Sequence, residues 1–435
     1  MLGASTLLAA LALLGTAAVH PATATTIELH PRDLGLKNSD GSVNIPGLRA
    51  EAERLFKKYE RNRANQVYYA QTMKDPTARQ KRGTLALTLS DTDSAVWTGK
   101  VSVGTPAQTF NIFFDSGSSD FTLASTACGT SCGIKQRYNT AASTSAVKTA
   151  KTVRTNFVDG TSSAGVVYED TVTAGGSTAT GQDVVAATSL SATVAGLASD
   201  GSLMGLSYPS LSSAGSSSFM FTLAEQGQYF LPYFSIRLSY TSRSEITFGS
   251  YNRARVAGRP RWYNASPSAN GVRTYWQMAL STPLIGGKIA APLATHILDS
   301  GTTLIIAPPS AASTFWANVP GSQPYSDEFW SYPCASPPDL SFGFSRAFST
   351  SWPVSEASFN LGYLEEAPDR CIGAVIGENL GLGSAWLLGD AFTGQTRVLT
   401  DPRAHPASSL VRLAVTNVYV MHDVVQNRIG LSLAR

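Results

Sequence analysis

The sequence predicts a mainly β protein built from two homologous lobes, and three observations lead there. Beyond Gly83 the chain is dominated by short runs rich in Val, Thr, Ser, Gly and Tyr, broken every few residues by Gly, Asn, Asp or Pro. VWTGKVSV, TFNIFFD, FSIRLS, SEITFG and TYWQMAL are examples, and each reads as a strand. Helical patterning is scarce in this body, with FMFTLAEQ at 219–226 the best candidate. The third observation is an internal repeat. Phe114-Asp115-Ser116-Gly117-Ser118-Ser119 recurs as Leu298-Asp299-Ser300-Gly301-Thr302-Thr303. Leu203-Met204-Gly205 follows the first copy by the same interval as Leu387-Leu388-Gly389 follows the second. One hydroxyl-rich hexad could recur by chance; two motifs at a shared offset argue for duplication, each lobe contributing one Asp.

Bulk properties agree. The 435 residues are too many for one compact core. With 43% hydrophobic and 14% charged residues the composition is globular. The formal net charge of +3 is unevenly spread. Residues 25–82 hold 12 Lys/Arg against 7 Asp/Glu, so the basic character belongs to an N-terminal segment and gives no argument for a nucleic-acid partner. Four cysteines, Cys128, Cys132, Cys334 and Cys371, suggest two disulfides, with three pairings open. Their spacing matches no zinc pattern, and neither a metal nor a cofactor is expected.

The N-terminus is organised as a precursor. Residues 1–24 read as a secretory signal, with a Leu/Ala-rich run ending in Ala22-Thr23-Ala24, although no basic residue precedes the run. The alternative is an N-terminal anchor; no later stretch is apolar enough to span a bilayer. Residues 25–82 form a basic segment in which 47–63 predicts a short amphipathic helix carrying Leu48, Leu55 and Tyr59. Lys81-Arg82 is a candidate processing site. Residues 83–265 then form the first lobe and 266–435 the second.

An Asp that ends an apolar strand and is followed by Ser-Gly lies at a tight turn, where glycine permits close backbone approach. Two such turns face to face would bring two carboxylates together. Like charges that close cannot both ionise, so they share a proton and titrate as a pair. The ionised member can act as general base on a water while the protonated member donates to a carbonyl, which is what amide hydrolysis requires.

DSGSSDF and ILDSGTT resemble the two Asp motifs of the pepsin-like aspartic proteases. GTPAQTF, DGSLMGLSYPS, FSIRLS, TYWQMAL and WLLGDAF resemble that family too, and the likeness covers essentially all of 83–435. It implies a bilobal fold with the active-site cleft between the lobes, and an endopeptidase made as a zymogen and working in acid. Asp115 and Asp299 would be the catalytic pair. Ser118 and Thr302 would bond the outer carboxylate oxygens, Ser116 and Ser300 would cross-link the two loops, and Gly117 and Gly301 would donate backbone N–H groups. Cys128–Cys132 and Cys334–Cys371 would be the disulfides. The resemblance also implies polypeptide substrates with hydrophobic residues flanking the cut, inhibition by pepstatin-type compounds and by its own propeptide, a monomer, and a secreted protein, with the vacuole as the other destination.

Two departures stand out. The family's cleft-covering hairpin usually carries Tyr-Gly; here the matching stretch is Phe157-Val158-Asp159-Gly160, and the Trp that usually partners that Tyr is Thr122. Asp159 is either a turn residue or a group that attracts a substrate Lys. Second, about 22 residues near 394–415 separate WLLGDAF from the final strands, either a translated intron or a surface loop. A catalytically impaired pepsin-like binding protein is the alternative function; a glycosidase with paired carboxylates finds no support in the repeat. Within the basic segment, a Lys of Phe56-Lys57-Lys58-Tyr59 could pair with the Asp dyad, solvated helix charge being its ordinary role. Asn264-Ala265-Ser266 is an N-glycosylation sequon.

Overall fold

The computed structural model describes residues 25–31, 35–74, 85–86, 97–133, 136–156, 162–190, 202–239, 244–344, 350–394 and 418–435. The expected signal, Lys81-Arg82, the hairpin residues Phe157, Asp159 and Gly160, and nearly all of the suspect 394–415 stretch lie outside them.

Strands dominate, and the repeat in the sequence is a repeat in topology. Strand Gln108–Asp115 runs parallel to Leu203–Gly205, with Phe114 opposite Met204 and Asp115 opposite Gly205. Strand Phe121–Ala124 returns antiparallel to Leu203–Gly205. In the second half, Ala294–Leu298 runs parallel to Trp386–Leu388, and Ile305–Ala307 returns antiparallel to it. This explains why Leu-Met-Gly and Leu-Leu-Gly share an offset from their Asp motifs: each pairs with the strand that delivers its Asp. The glycines permit the approach, because a Cβ on Gly205 would lie 2.5 Å from the Ser119 backbone and one on Gly389 would strike the Thr302 carbonyl.

The ends of the strands that deliver the Asp residues, 112–115 and 296–298, are buried throughout. Trp276, Trp316 and Trp386 anchor the packing and are fully buried. The disulfides are Cys128–Cys132 and Cys334–Cys371, with Cα–Cα distances of 6.0 and 5.0 Å.

Three features differ from the sequence expectation. A division at 265 does not describe the hydrogen bonding, because the C-terminal hairpin crosses it. Val418–Asp423 pairs with Tyr233–Arg237, and Arg428–Leu433 pairs with Arg261–Asn264, so the end of the chain completes the first half's sheet. TYWQMAL enters its strand late, at Gln277. The helix expected at 47–63 spans Ile45–Lys74, since residues 64–74 hold neither Gly nor Pro to stop it and Pro76 follows. Ahead of that helix, Thr25–Pro31 forms a strand beside Ser244–Phe248 and Trp97–Val103. The 219–226 helix is present as Phe219–Glu225.

Candidate active site

The two Asp-Ser-Gly turns meet. Ser116 N–H donates to Ser300 Oγ at 3.0 Å and Ser300 N–H donates to Ser116 Oγ at 2.9 Å. Ser300 Oγ donates in turn to the Phe114 carbonyl at 3.1 Å. A turn that delivers a carboxylate at a strand's end is thereby tied to its counterpart through both backbone and side chain. Asp115 and Asp299 are 1% and 0% exposed. A Cβ on Gly117 would collide with the Asp299 carboxylate, and one on Gly301 with that of Asp115, so each carboxylate rests against the opposite glycine.

Each carboxylate is held by its own turn. Gly117 N–H donates to Asp115 Oδ1 at 2.9 Å and Ser118 Oγ to Oδ2 at 2.6 Å. Gly301 N–H donates to Asp299 Oδ1 at 2.9 Å and Thr302 Oγ1 to Oδ2 at 2.5 Å.

The long helix Ile45–Lys74 lies on these turns. Lys58 Nζ donates to Asp115 Oδ1 and to Asp299 Oδ2, each at 2.7 Å, with only 6% of the lysine exposed. The two oxygens are therefore no farther apart than twice that distance. Tyr59 OH donates to Asp299 Oδ2 at 2.8 Å. That oxygen takes Thr302, Lys58 and Tyr59, whereas at Asp115 the hydroxyl of Ser118 and the ammonium of Lys58 meet different oxygens. Ser118 and Thr302 thus meet the same oxygen of their respective carboxylates, Oδ2, and the asymmetry comes from the helix, whose Lys58 takes Oδ1 of Asp115 but Oδ2 of Asp299. Lys57 pairs with Glu53 on its own helix, while Lys58 is no solvated helix charge.

Further buried groups close the contact. Arg54 forms a two-pronged pair with Glu51, both bonds 2.7 Å, and donates to the Gly301 carbonyl at 3.0 Å. Asn62 Nδ2 donates to the Gly117 carbonyl at 2.6 Å. Thr303 Oγ1 donates to Glu51 at 3.2 Å. Tyr59 packs on Tyr275 with centroids 5.4 Å apart. None of these partners was legible individually. Their shared signal is the spacing of Glu51, Arg54, Lys58 and Asn62, a polar stripe at helical intervals beside the Leu48, Leu55 and Tyr59 stripe.

The electrostatics are unequal. Burial raises the pKa of Asp115, with Lys58 opposing and the Asp299 charge adding to the rise. Burial pushes Asp299 the same way, but the charge and hydrogen bonds of Lys58, with those of Thr302 and Asp115, outweigh it and leave Asp299 below the ordinary carboxylate range. One carboxyl is thus biased towards holding a proton and the other towards losing it. Asp390 lies nearby, raised well above its ordinary value by burial, and it accepts a 2.8 Å bond from Trp97 Nε1.

Thr122 is half-buried on strand Phe121–Ala124, opposite Val185. Asn264 ends strand Arg261–Asn264 with its side chain exposed.

Two inward-turned carboxylates on duplicated strand-turn units meet at one buried point, an arrangement suited to acid–base chemistry. Residues 96–410 match the eukaryotic aspartyl protease family, and the chain belongs to it. Its curated relatives include the aspartic protease of Phaffia rhodozyma, 30% identical over 386 residues, covering 85% of this chain and 91% of the relative. Major aspartyl peptidase 1 of Cryptococcus neoformans var. grubii is 28% identical over 416 residues, covering 89% and 83%. Pepsin A of Bos taurus is 28% identical over 313 residues, covering 70% and 80%. The protein is an aspartic endopeptidase, a pepsin-like hydrolase acting on polypeptides. Among the described residues, no helix is long and apolar enough to cross a membrane.

Proposed function

We propose that Asp115 and Asp299 are the catalytic pair of this endopeptidase and that residues 25–82 are a propeptide whose Lys58 holds the pair inactive. The observation that carries the reading is the Lys58 ammonium, 2.7 Å from both carboxylates. Its nitrogen occupies the position in which a water would bond both groups. Once Lys58 leaves, a water there can give a proton to the ionised carboxylate and attack the scissile carbonyl. The protonated carboxyl donates to that carbonyl oxygen as it gains charge. Ser118, Thr302, Gly117 and Gly301 orient the two groups, and the Ser116–Ser300 cross-link fixes their separation.

Acid releases the inhibitor on this reading. Lys58 lowers the pKa of both Asp115 and Asp299, so the bound helix favours ionised carboxylates and its departure takes up protons. Lower pH therefore shifts the balance towards departure. Arg54, also facing the pair, contributes in the same direction, and Tyr59 leaves with the helix.

The rest of the reading follows from family likeness and sequence. The protein enters the secretory route through residues 1–24, is processed near Lys81-Arg82, carries a glycan at Asn264, acts as a monomer, prefers hydrophobic residues beside the cut bond and is blocked by pepstatin-type inhibitors. The test is hydrolysis of a denatured protein in acid by the full chain and by its Asp115→Asn and Asp299→Asn variants. Each variant should lose about a thousandfold or more of activity. Retained proteolysis in either one would remove the assignment.

A further inference from the structure

A cavity lies between the first lobe and the long helix. Its walls include Val153, Val185 and Leu190, Thr122 stands at its side, and Asp120 and Arg61 also line it. Asp120 belongs to the segment just after the first Asp turn. Its carboxylate is fixed by three donors: Ser212 Oγ at 2.6 Å, Ser213 N–H at 3.0 Å and Ser213 Oγ at 2.6 Å. No Lys, Arg or His among the described residues forms an ion pair with it. Most of the lining contributed by the first lobe is thus apolar or small, its one charged group is the Asp120 carboxylate, and the helix contributes Arg61. The first-lobe lining is the complement of a side chain with an aliphatic stem and a cationic head. Thr122 is short, which leaves the volume open.

The helix supplies a side chain of that kind. Arg61 follows Lys58 by three residues, a rise of about 4.5 Å along the axis, and it faces the cavity while Lys58 faces the carboxylates. An extended peptide covers about 3.3 Å per residue, so the cavity serves a position within a residue or two of the bond that is cut.

We propose that this cavity is a substrate subsite selecting an arginine or lysine side chain, with Asp120 as the specificity-determining residue; Arg61 of the long helix lines the same cavity without pairing with Asp120. The inference rests on Asp115 and Asp299 being the catalytic pair. It deepens that reading by naming a substrate class: polypeptides with a basic residue next to the hydrophobic pair around the cut. Desolvation by the apolar walls strengthens the attraction between the two charges, and a neutral side chain of equal length gains only the wall contacts.

The experiment uses the full chain after activation in acid. Peptides share one hydrophobic cleavage site and carry arginine, citrulline or norleucine at each flanking position in turn. At one position the wild type should cleave the arginine peptide with a kcat/KM about tenfold above the citrulline and norleucine peptides. That ratio should fall close to one in Asp120→Asn and in Thr122→Trp, which fills the space. The citrulline comparison needs no variant and stands if either variant fails to fold. Equal rates for all three peptides in the wild type, or an arginine preference that survives Asp120→Asn, would overturn the subsite while general proteolysis persists. Cleavage by Asp115→Asn would instead strike the dyad, and the subsite would fall with it.

Discussion

Ser116 and Ser300 each receive the other's backbone N–H on the side-chain oxygen, at 3.0 and 2.9 Å, so the two halves are joined at the point where their carboxylates meet. All four groups are buried, and removing a hydroxyl leaves a backbone donor without its acceptor. Ser300→Ala should cost about 1–3 kcal/mol of stability and lower kcat more than it raises KM, because the separation of the carboxylates is what the cross-link fixes. Denaturant unfolding with steady-state kinetics checks both.

Lys58→Met keeps the length and apolar stem of the side chain and removes its charge. The buried carboxylates then lose the cation that favours their ionisation, and the helix loses two charge-assisted bonds. The precursor should activate at a higher pH than wild type. Latency with an unchanged pH profile, followed by cleavage of a quenched peptide across a pH series, would contradict this.

Gly301 admits no side chain, since a Cβ there would strike Asp115 and lie 2.5 Å from Lys58 Nζ. Gly301→Ala should abolish hydrolysis in the activated chain even if the protein folds. Near-normal kcat in a folded Gly301→Ala protein would refute the tight apposition.

His422 is buried, stacked on Phe234 with ring centroids 4.4 Å apart, and its pKa is pushed down to about 3 by burial. Its folded value lies below the unfolded one, so the unfolded chain binds the extra proton first. The stability that the neutral imidazole allows is complete above about pH 6.5 and is lost as pH falls towards 3. The loss is on the order of 5 kcal/mol. His422→Phe should remove this penalty, raising stability in acid relative to neutral pH. Chemical denaturation of both proteins at the two pH values measures the difference.

Asp390 has the opposite sign. Burial raises its pKa well above the ordinary carboxylate value, so the folded chain keeps a proton that the unfolded chain loses. That mismatch lowers stability as pH rises above the ordinary carboxylate range. Asp390→Asn, which retains an acceptor for Trp97 Nε1, should raise the melting temperature at neutral pH and leave it nearly unchanged in strong acid. An equal shift at both pH values would contradict the titration.

Much of the site was legible because it is local. Asp115-Ser116-Gly117-Ser118 and its copy are contiguous, and a strand followed by a tight turn fixes where the carboxylate, the hydroxyl and the glycine N–H lie relative to one another. The role of the Leu-Met-Gly and Leu-Leu-Gly motifs was visible only as an interval; the parallel pairing behind it needed the sheet. Glu51, Arg54, Tyr59 and Asn62 were not legible as site neighbours, because each looks like an ordinary helix residue until the helix is docked. The C-terminal hairpin joining the first half's sheet was missed for a like reason, since strand pairing between distant segments leaves no mark on either one.

The sequence alone determined the duplicated architecture and the residues of the two turns, since a repeated run of strand, acid, hydroxyl and glycine has few other ways to bury its apolar side. Tertiary structure alone decided which cation sits on the carboxylates, which of the two is the stronger acid, and that Asp120 lines a cavity. Those properties depend on through-space distance and on exclusion of water, and both arise only when segments far apart in the chain pack together.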